Sequence, residues 1–156
     1  METTGGFTSV GLELEAKALQ LSSLTQAEAI EIGTIAQEIG LDRKLPIAVE
    51  VRMKDWIVFH ASLPGSTPDN DSWIARKANV VNMTHHSTMY ERVSAEERGA
   101  DWHQEHGVAD ETHAIHGGGF PLVTNAGEFK GILLISGLAQ VDDHLLAYEI
   151  LAEMSN

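Results

Sequence analysis

The sequence predicts an α+β fold, one antiparallel sheet with helices packed on it. Two observations carry most of this. Two pairs of strand-like runs are each joined by a turn of a few residues, which makes antiparallel hairpins rather than crossover units. Between and after them lie stretches with apolar residues at helical spacing. The order reads helix, hairpin, helix, hairpin, helix, with no repeat and no dividing linker. One domain over residues 1–156 is therefore expected, with residues 1–10 frayed.

Taken in order, "GLELEAKALQ" can form a short helix. "TQAEAIEIGTIAQEIG" is the best-marked one. Thr25 and Glu28 make a capping box that satisfies two backbone donors. Ile32, Ile35, Ala36 and Ile39 then repeat along one face, while Glu28, Glu31 and Glu38 can face water, and Gly40 is a natural stop. Ile47, Val49 and Val51 alternate with Ala48, Glu50 and Arg52, as in a half-buried strand. Lys54 and Asp55 turn the chain into "WIVFHA", a returning strand apolar on both faces. After a loop with two prolines, Asp69 or Asp71 can cap a helix. Ile74, Ala78 and Val81 form its apolar row, widened by Trp73 and Val80. Residues 85–112 show no clean period and read as irregular helix and loop. "FPLVT", the turn "NAGE" and "FKGILLISG" give the second hairpin, with Gly127 suited to a positive φ and Pro121 marking an edge or bulge. "QVDDHLLAYEILAEM" closes the chain as a helix with Val141, Leu145, Tyr148 and Ala152 inward.

Composition narrows the function. The formal net charge is −13, and beyond Arg98 only Lys130 is cationic. Such a surface repels phosphate backbones and anionic bilayers, so neither a nucleic acid nor a membrane is an expected partner. No stretch reaches the roughly 18–20 apolar residues of a membrane span, and no signal peptide is visible, so a cytoplasmic location is expected. With no cysteine, disulfides, thiolate metal sites and Cys nucleophiles are excluded.

The chemistry-bearing stretch is "HAIHGGGFP", residues 113–121. As an esterase oxyanion loop it would need a G-x-S-x-G nucleophile elbow downstream, and none exists. As a metal site it has material, since six of the eight histidines lie between His85 and His116. His85, His113 and His116 are the candidates, but the spacing matches no zinc motif, and the glycines oppose a helix that would align His113 with His116. The third reading is a backbone stripped of side chains so that a ligand, helix or subunit can approach. Ser136 and Gly137 repeat the theme where a strand meets a helix, but Asp142 and Asp143 oppose an anion at that helix start. Trp73, Arg76 and Lys77 could hold a carboxylate-bearing ligand, or be a core indole with two solvated cations.

"LPGSTPDNDSWIARKANVVN", "HGGGFPL" and "GILLISGLAQVDDHLLAYEIL", in this order, resemble the UPF0303 family, related to the wider HbpS-like and GlcG-like haem-degrading-domain proteins. The resemblance covers residues 12–153. It implies a profilin-like α-β-α sandwich of about five antiparallel strands, the fifth near 113–117, assembled as a closed homo-oligomer of eight or more subunits. It also implies a pocket near a subunit contact, with haem or a related tetrapyrrole as the ligand to be bound or degraded. The ligand contacts expected are the backbone of Gly117, Gly118, Gly119 and Phe120, with His116, Asp143 and His144. Trp73, Arg76 and Lys77 would come from the same or a neighbouring subunit. His116, His113 and His85 are axial-ligand candidates by residue type. The competing classes are a non-enzymatic assembly protein, in which the glycines and the Trp73 helix form the interface, and a metal-dependent hydrolase.

Overall fold

A computed structural model describes residues 4–155. Among them are six helices and four strands. α1 (Ser9–Ala18) starts inside the stretch expected to fray, because the Thr8 hydroxyl caps it by accepting from Gly11 N at 3.0 Å. Residues 1–3 lie outside the described residues. α2 (Gln26–Asp42) begins at the expected box: Glu28 N donates to the Thr25 hydroxyl at 3.1 Å, and Thr25 N to the Glu28 carboxylate at 2.8 Å. It does not stop at Gly40. That residue is buried against Leu63, where a Cβ would collide with the leucine side chain, so packing carries the helix to Asp42.

β1 (Ala48–Met53) and β2 (Trp56–Ser62) form the first hairpin around Lys54 and Asp55. β3 (Gly119–Val123) and β4 (Phe129–Ser136) form the second, with Gly127 at φ 82° in its turn. β1 pairs antiparallel with β4, so the hairpins join into a single sheet of order β2-β1-β4-β3. The strand count is four. The expected fifth, near residues 113–117, does not form because that segment bonds elsewhere: Ala114 N donates to the Arg76 carbonyl at 3.2 Å.

The strand alternation divides the core. Val49, Val51, Leu133, Ile135, Phe120 and Leu122 pack under α2 and α6 (Gln140–Ser155). Ala48, Ile132 and Leu134 face α3 (Pro68–Thr84) through Ile74, Ala78 and Val81. Helices thus cover both faces. Three expectations shift. β2 is an edge strand, with Trp56 and Ile57 58% and 48% exposed rather than buried on both sides. α6 buries Leu146, Ala147, Ile150 and Leu151, leaving Leu145 and Tyr148 outside. Residues 85–112 are more regular than their sequence, holding α4 (Thr88–Glu97) and α5 (Trp102–His106), capped by Ser87 and Asp101. No helix among the described residues is long and apolar enough to cross a membrane.

Candidate functional site

α3 begins at Pro68, where the missing N–H costs nothing. Thr67 is its cap, not Asp69 or Asp71: its N–H donates to the Asn70 side-chain oxygen at 2.9 Å. From that start, Asn70, Trp73 and Lys77 fall at i, i+3 and i+7, one stripe of the helix. The stripe meets the end of β4 at Ser136, the turn of residues 137–139, and Gln140 and Asp143 from the first turn of α6. His116 completes the lining of a cavity of about 250 Å³.

At its floor is an ion pair withdrawn from water. Lys77 Nζ donates to the Ile135 carbonyl at 2.8 Å and to Asp143 Oδ2 at 3.3 Å, and the two side chains are 2% and 3% exposed. Asp143 Oδ1 accepts from Leu138 N at 3.0 Å, so this carboxylate itself caps the strand-to-helix turn that a ligand anion would otherwise seek. Burial raises the Asp143 carboxyl from 3.8 to about 6, against the opposing pull of Lys77, and burial lowers the Lys77 ammonium from its ordinary range.

The glycines build this floor. Gly118, at φ 124°, lies where a Cβ would collide with the Ile135 carbonyl and stand 2.8 Å from Lys77 Nζ and 3.1 Å from Asp143 Cβ. Gly117 packs on the Gln140 carbonyl, and Gly119 N donates to the Thr88 hydroxyl at 3.1 Å. All three are buried against the chain's own residues.

On the rim, the Trp73 indole meets the His116 ring edge-on, centroids 4.6 Å apart. Arg76 lies over the indole at 4.1 Å and is tied at 2.8 Å to both the Asp110 carbonyl and carboxylate. It braces the wall from behind rather than lining the cavity.

Of the residues singled out in the sequence, Trp73, Lys77, His116 and Asp143 thus converge, with Gly118 against the pair. Others go elsewhere. His144 is fully buried behind the site, its Nε2 2.7 Å from Glu15, with Phe7 and Phe120 around its ring. His113 sits against Thr112, at 2.8 Å. His85 stacks on Phe129 with centroids 4.1 Å apart. Asn70 and Gln140 line the cavity with no chemical signal in the sequence, whereas Ser136, beside Gly137, marks the turn itself. Among the described residues no group of three or more metal-ligating side chains could hold a metal ion.

A second hollow, of about 260 Å³, lies between α1, β3 and the start of α4. Leu12, Ala16, Leu19, Phe120, Pro121 and Val123 give it a largely apolar wall, and Glu13, Lys17, Gln20, His85, His86, Ser87 and Tyr90 complete the lining.

Known proteins agree with this architecture. The family described as haem degrading protein HbpS-like matches residues 24–152. A UPF0303 protein of Streptomyces avermitilis is 35% identical over 142 residues, covering 91% of this chain and 87% of its own. One from Rhizobium johnstonii is 36% identical over 138 residues, covering 88% and 85%. Among solved structures, Ybr137w superposes with a TM-score of 0.87 at 26% identity, covering 96% of this chain and 89% of its own. A PduOC:heme complex superposes at 0.66 with 18% identity, covering 82% and 94%, a likeness of fold alone. The chain belongs to the HbpS-like family and is similar over most of its length to the UPF0303 proteins.

Proposed function

We propose that the chain is a small-molecule-binding protein whose ligand seats in the polar cavity between α3, the end of β4 and the start of α6. One observation carries this: a buried lysine–aspartate pair opens onto a cavity instead of being sealed in the core. A buried pair is commonly no better for stability than apolar residues of the same volume, and perturbed ionisable groups lining a cleft mark functional sites. The cavity's size and its amide, hydroxyl and charged lining suit a small polar molecule with an oxygen acceptor. Titration with propionate and pyruvate tests it. Trp73 fluorescence is expected to change saturably, the response to disappear in Trp73→Phe, and Ser136→Ala to weaken binding about tenfold, the worth of one buried hydrogen bond. A response that survives Trp73→Phe refutes this placement.

Haem, the ligand in the family's description, does not fit this cavity: its volume falls below the roughly 300–1,000 Å³ that encloses a drug-sized ligand, and its floor is charged. The apolar hollow fits in chemistry. Phe120, Leu12 and Leu19 would face a macrocycle edge, His85 or His86 would offer an imidazole to iron, and Lys17 would meet a carboxylate. Bound haem would supply its own O₂ chemistry. Because the hollow encloses an edge only, this second reading includes a partner copy covering the rest, in a homo-oligomer. Trp56 and Ile57, exposed on the edge strand β2, support self-association. Hemin titration is expected to give a Soret shift lost in the His85→Ala, His86→Ala double variant; a shift indifferent to both removes this reading.

A further inference from the structure

All five lysines lie among the described residues, and only Lys77 is buried: Lys17, Lys44 and Lys54 are exposed, and the Lys130 side chain is 41% exposed. Lys77 lines the cavity together with Asp143, and one of its N–H groups is held by the Ile135 carbonyl at 2.8 Å, which fixes the direction of the nitrogen. Gly118 packs close beside that nitrogen, where any Cβ would stand 2.8 Å from it and collide with the Ile135 carbonyl. Across the 3.3 Å gap a single proton shift turns the ammonium–carboxylate pair into a neutral amine beside a neutral acid. Burial drives both groups that way, lowering the lysine and raising the aspartate.

We propose that Lys77 is an imine-forming amine for a small polar aldehyde or ketone held in this cavity, with Asp143 as its proton shuttle. The inference rests on the cavity being the ligand site and adds the substrate class and the chemistry. The Lys77 amine attacks the carbonyl carbon, a C–N bond forms, and Asp143 gives its proton to the carbonyl oxygen while the amine returns one to the carboxylate. Asp143 then protonates the hydroxyl, the C–O bond breaks, water leaves, and the second amine proton restores the acid. The two protons in the departing water are those the amine has lost, and no oxidant or reductant is required. Desolvation of a lysine in a closed pocket is an established way to keep its amine nucleophilic near neutrality. The cavity admits a substrate of a few heavy atoms, and its lining includes the polar side chains of Asn70, Ser136 and Gln140 and the rings of Trp73 and His116.

Propionaldehyde with sodium cyanoborohydride at neutral pH traps such an imine as an N-propyl lysine. Peptide mapping of the full-length protein is expected to show Lys77 modified about tenfold or more faster than Lys17, Lys44, Lys54 and Lys130, one pKa unit of lowering being a factor of ten in free amine. In Asp143→Asn the Lys77 rate is expected to fall about tenfold, with far-ultraviolet circular dichroism unchanged. Lys77→Arg, which keeps a donor to the Ile135 carbonyl, is expected to leave only slow modification of the exposed lysines. The wild-type peptide map decides even where a variant does not fold. Modification confined to exposed lysines, with Trp73 fluorescence still responding to propionaldehyde, overturns the imine step and leaves the binding site standing. If neither Lys77 nor Trp73 responds to propionaldehyde, propionate or pyruvate, both fall.

Discussion

Lys77→Met is expected to cost about 3–5 kcal/mol of stability, read as a lower urea midpoint at unchanged slope. The loss is not that of a surface salt bridge. Lys77 and Asp143 are 2% and 3% exposed, so removing the cation leaves a carboxyl group in a desolvated site, where it must either stay charged without a partner or take up a proton. Methionine fills the volume of the lysine stem but strands the Ile135 carbonyl, which had accepted from Nζ at 2.8 Å. The double variant Lys77→Met, Asp143→Asn is expected to recover most of the loss. Asparagine still offers an oxygen to Leu138 N, and the uncompensated charge is gone. A double variant as unstable as the single one would show that the stranded carbonyl, not the charge, sets the cost. The pair also carries a pH signature. The folded state holds the Asp143 proton up to about pH 6, against 3.8 in the unfolded chain, so it binds more protons than the unfolded state within that window. Stability from this group is therefore present in full below about pH 4 and lost as pH rises to 6. Wild type should gain on the double variant as pH falls through that range.

The same pair shows where the sequence was readable. Trp73 and Lys77 stood out as residue types on one predicted helix, and Asp143 as an acid in the first turn of another. Nothing local joins Lys77 to Asp143, which are 66 residues apart and meet only because the end of β4 passes between α3 and α6. The Thr25 and Glu28 box was legible because a cap is written within four residues; Gly40 misled because its role is tertiary, a contact with Leu63. α6 was placed correctly but rotated. Apolar residues occupy much of its circumference, so the pattern allowed both the row through Leu145 and Tyr148 and the row actually buried, Leu146, Ala147, Ile150 and Leu151. In the same way "WIVFHA" is apolar enough for a central strand, yet the hairpin partners leave β2 at the edge. The apolar hollow was beyond sequence reasoning altogether, since it arises from the docking of α1 beside α4 through Leu12, Met89 and Val93.

Gly118→Ala is expected to be comparably severe, about 3–5 kcal/mol, and the reason differs from that of any other glycine in the "HGGGF" run. Two costs add. At φ 124° an alanine occupies backbone space that L side chains rarely enter, worth about 1–3 kcal/mol. Its methyl would also meet the Ile135 carbonyl head-on and crowd Lys77 Nζ at 2.8 Å, and forcing a group into a packed interior costs roughly another 1–3 kcal/mol. Gly127→Ala separates the two. That turn glycine also has a positive φ, 82°, but nothing lies within 4 Å of the added Cβ, so the conformational cost stands alone, about 1–2 kcal/mol. The difference between the two variants in urea midpoint, at equal slopes, measures how tightly the strand entry is pressed against the lysine–aspartate floor. If they prove equal, Gly118 is there for its backbone angle only. If Gly118→Ala is the worse, as expected, the bare backbone of residues 117–119 exists so that β4, α3 and α6 can close around the pair. The glycines then serve the cavity by building its floor, with no contact to a ligand required of them.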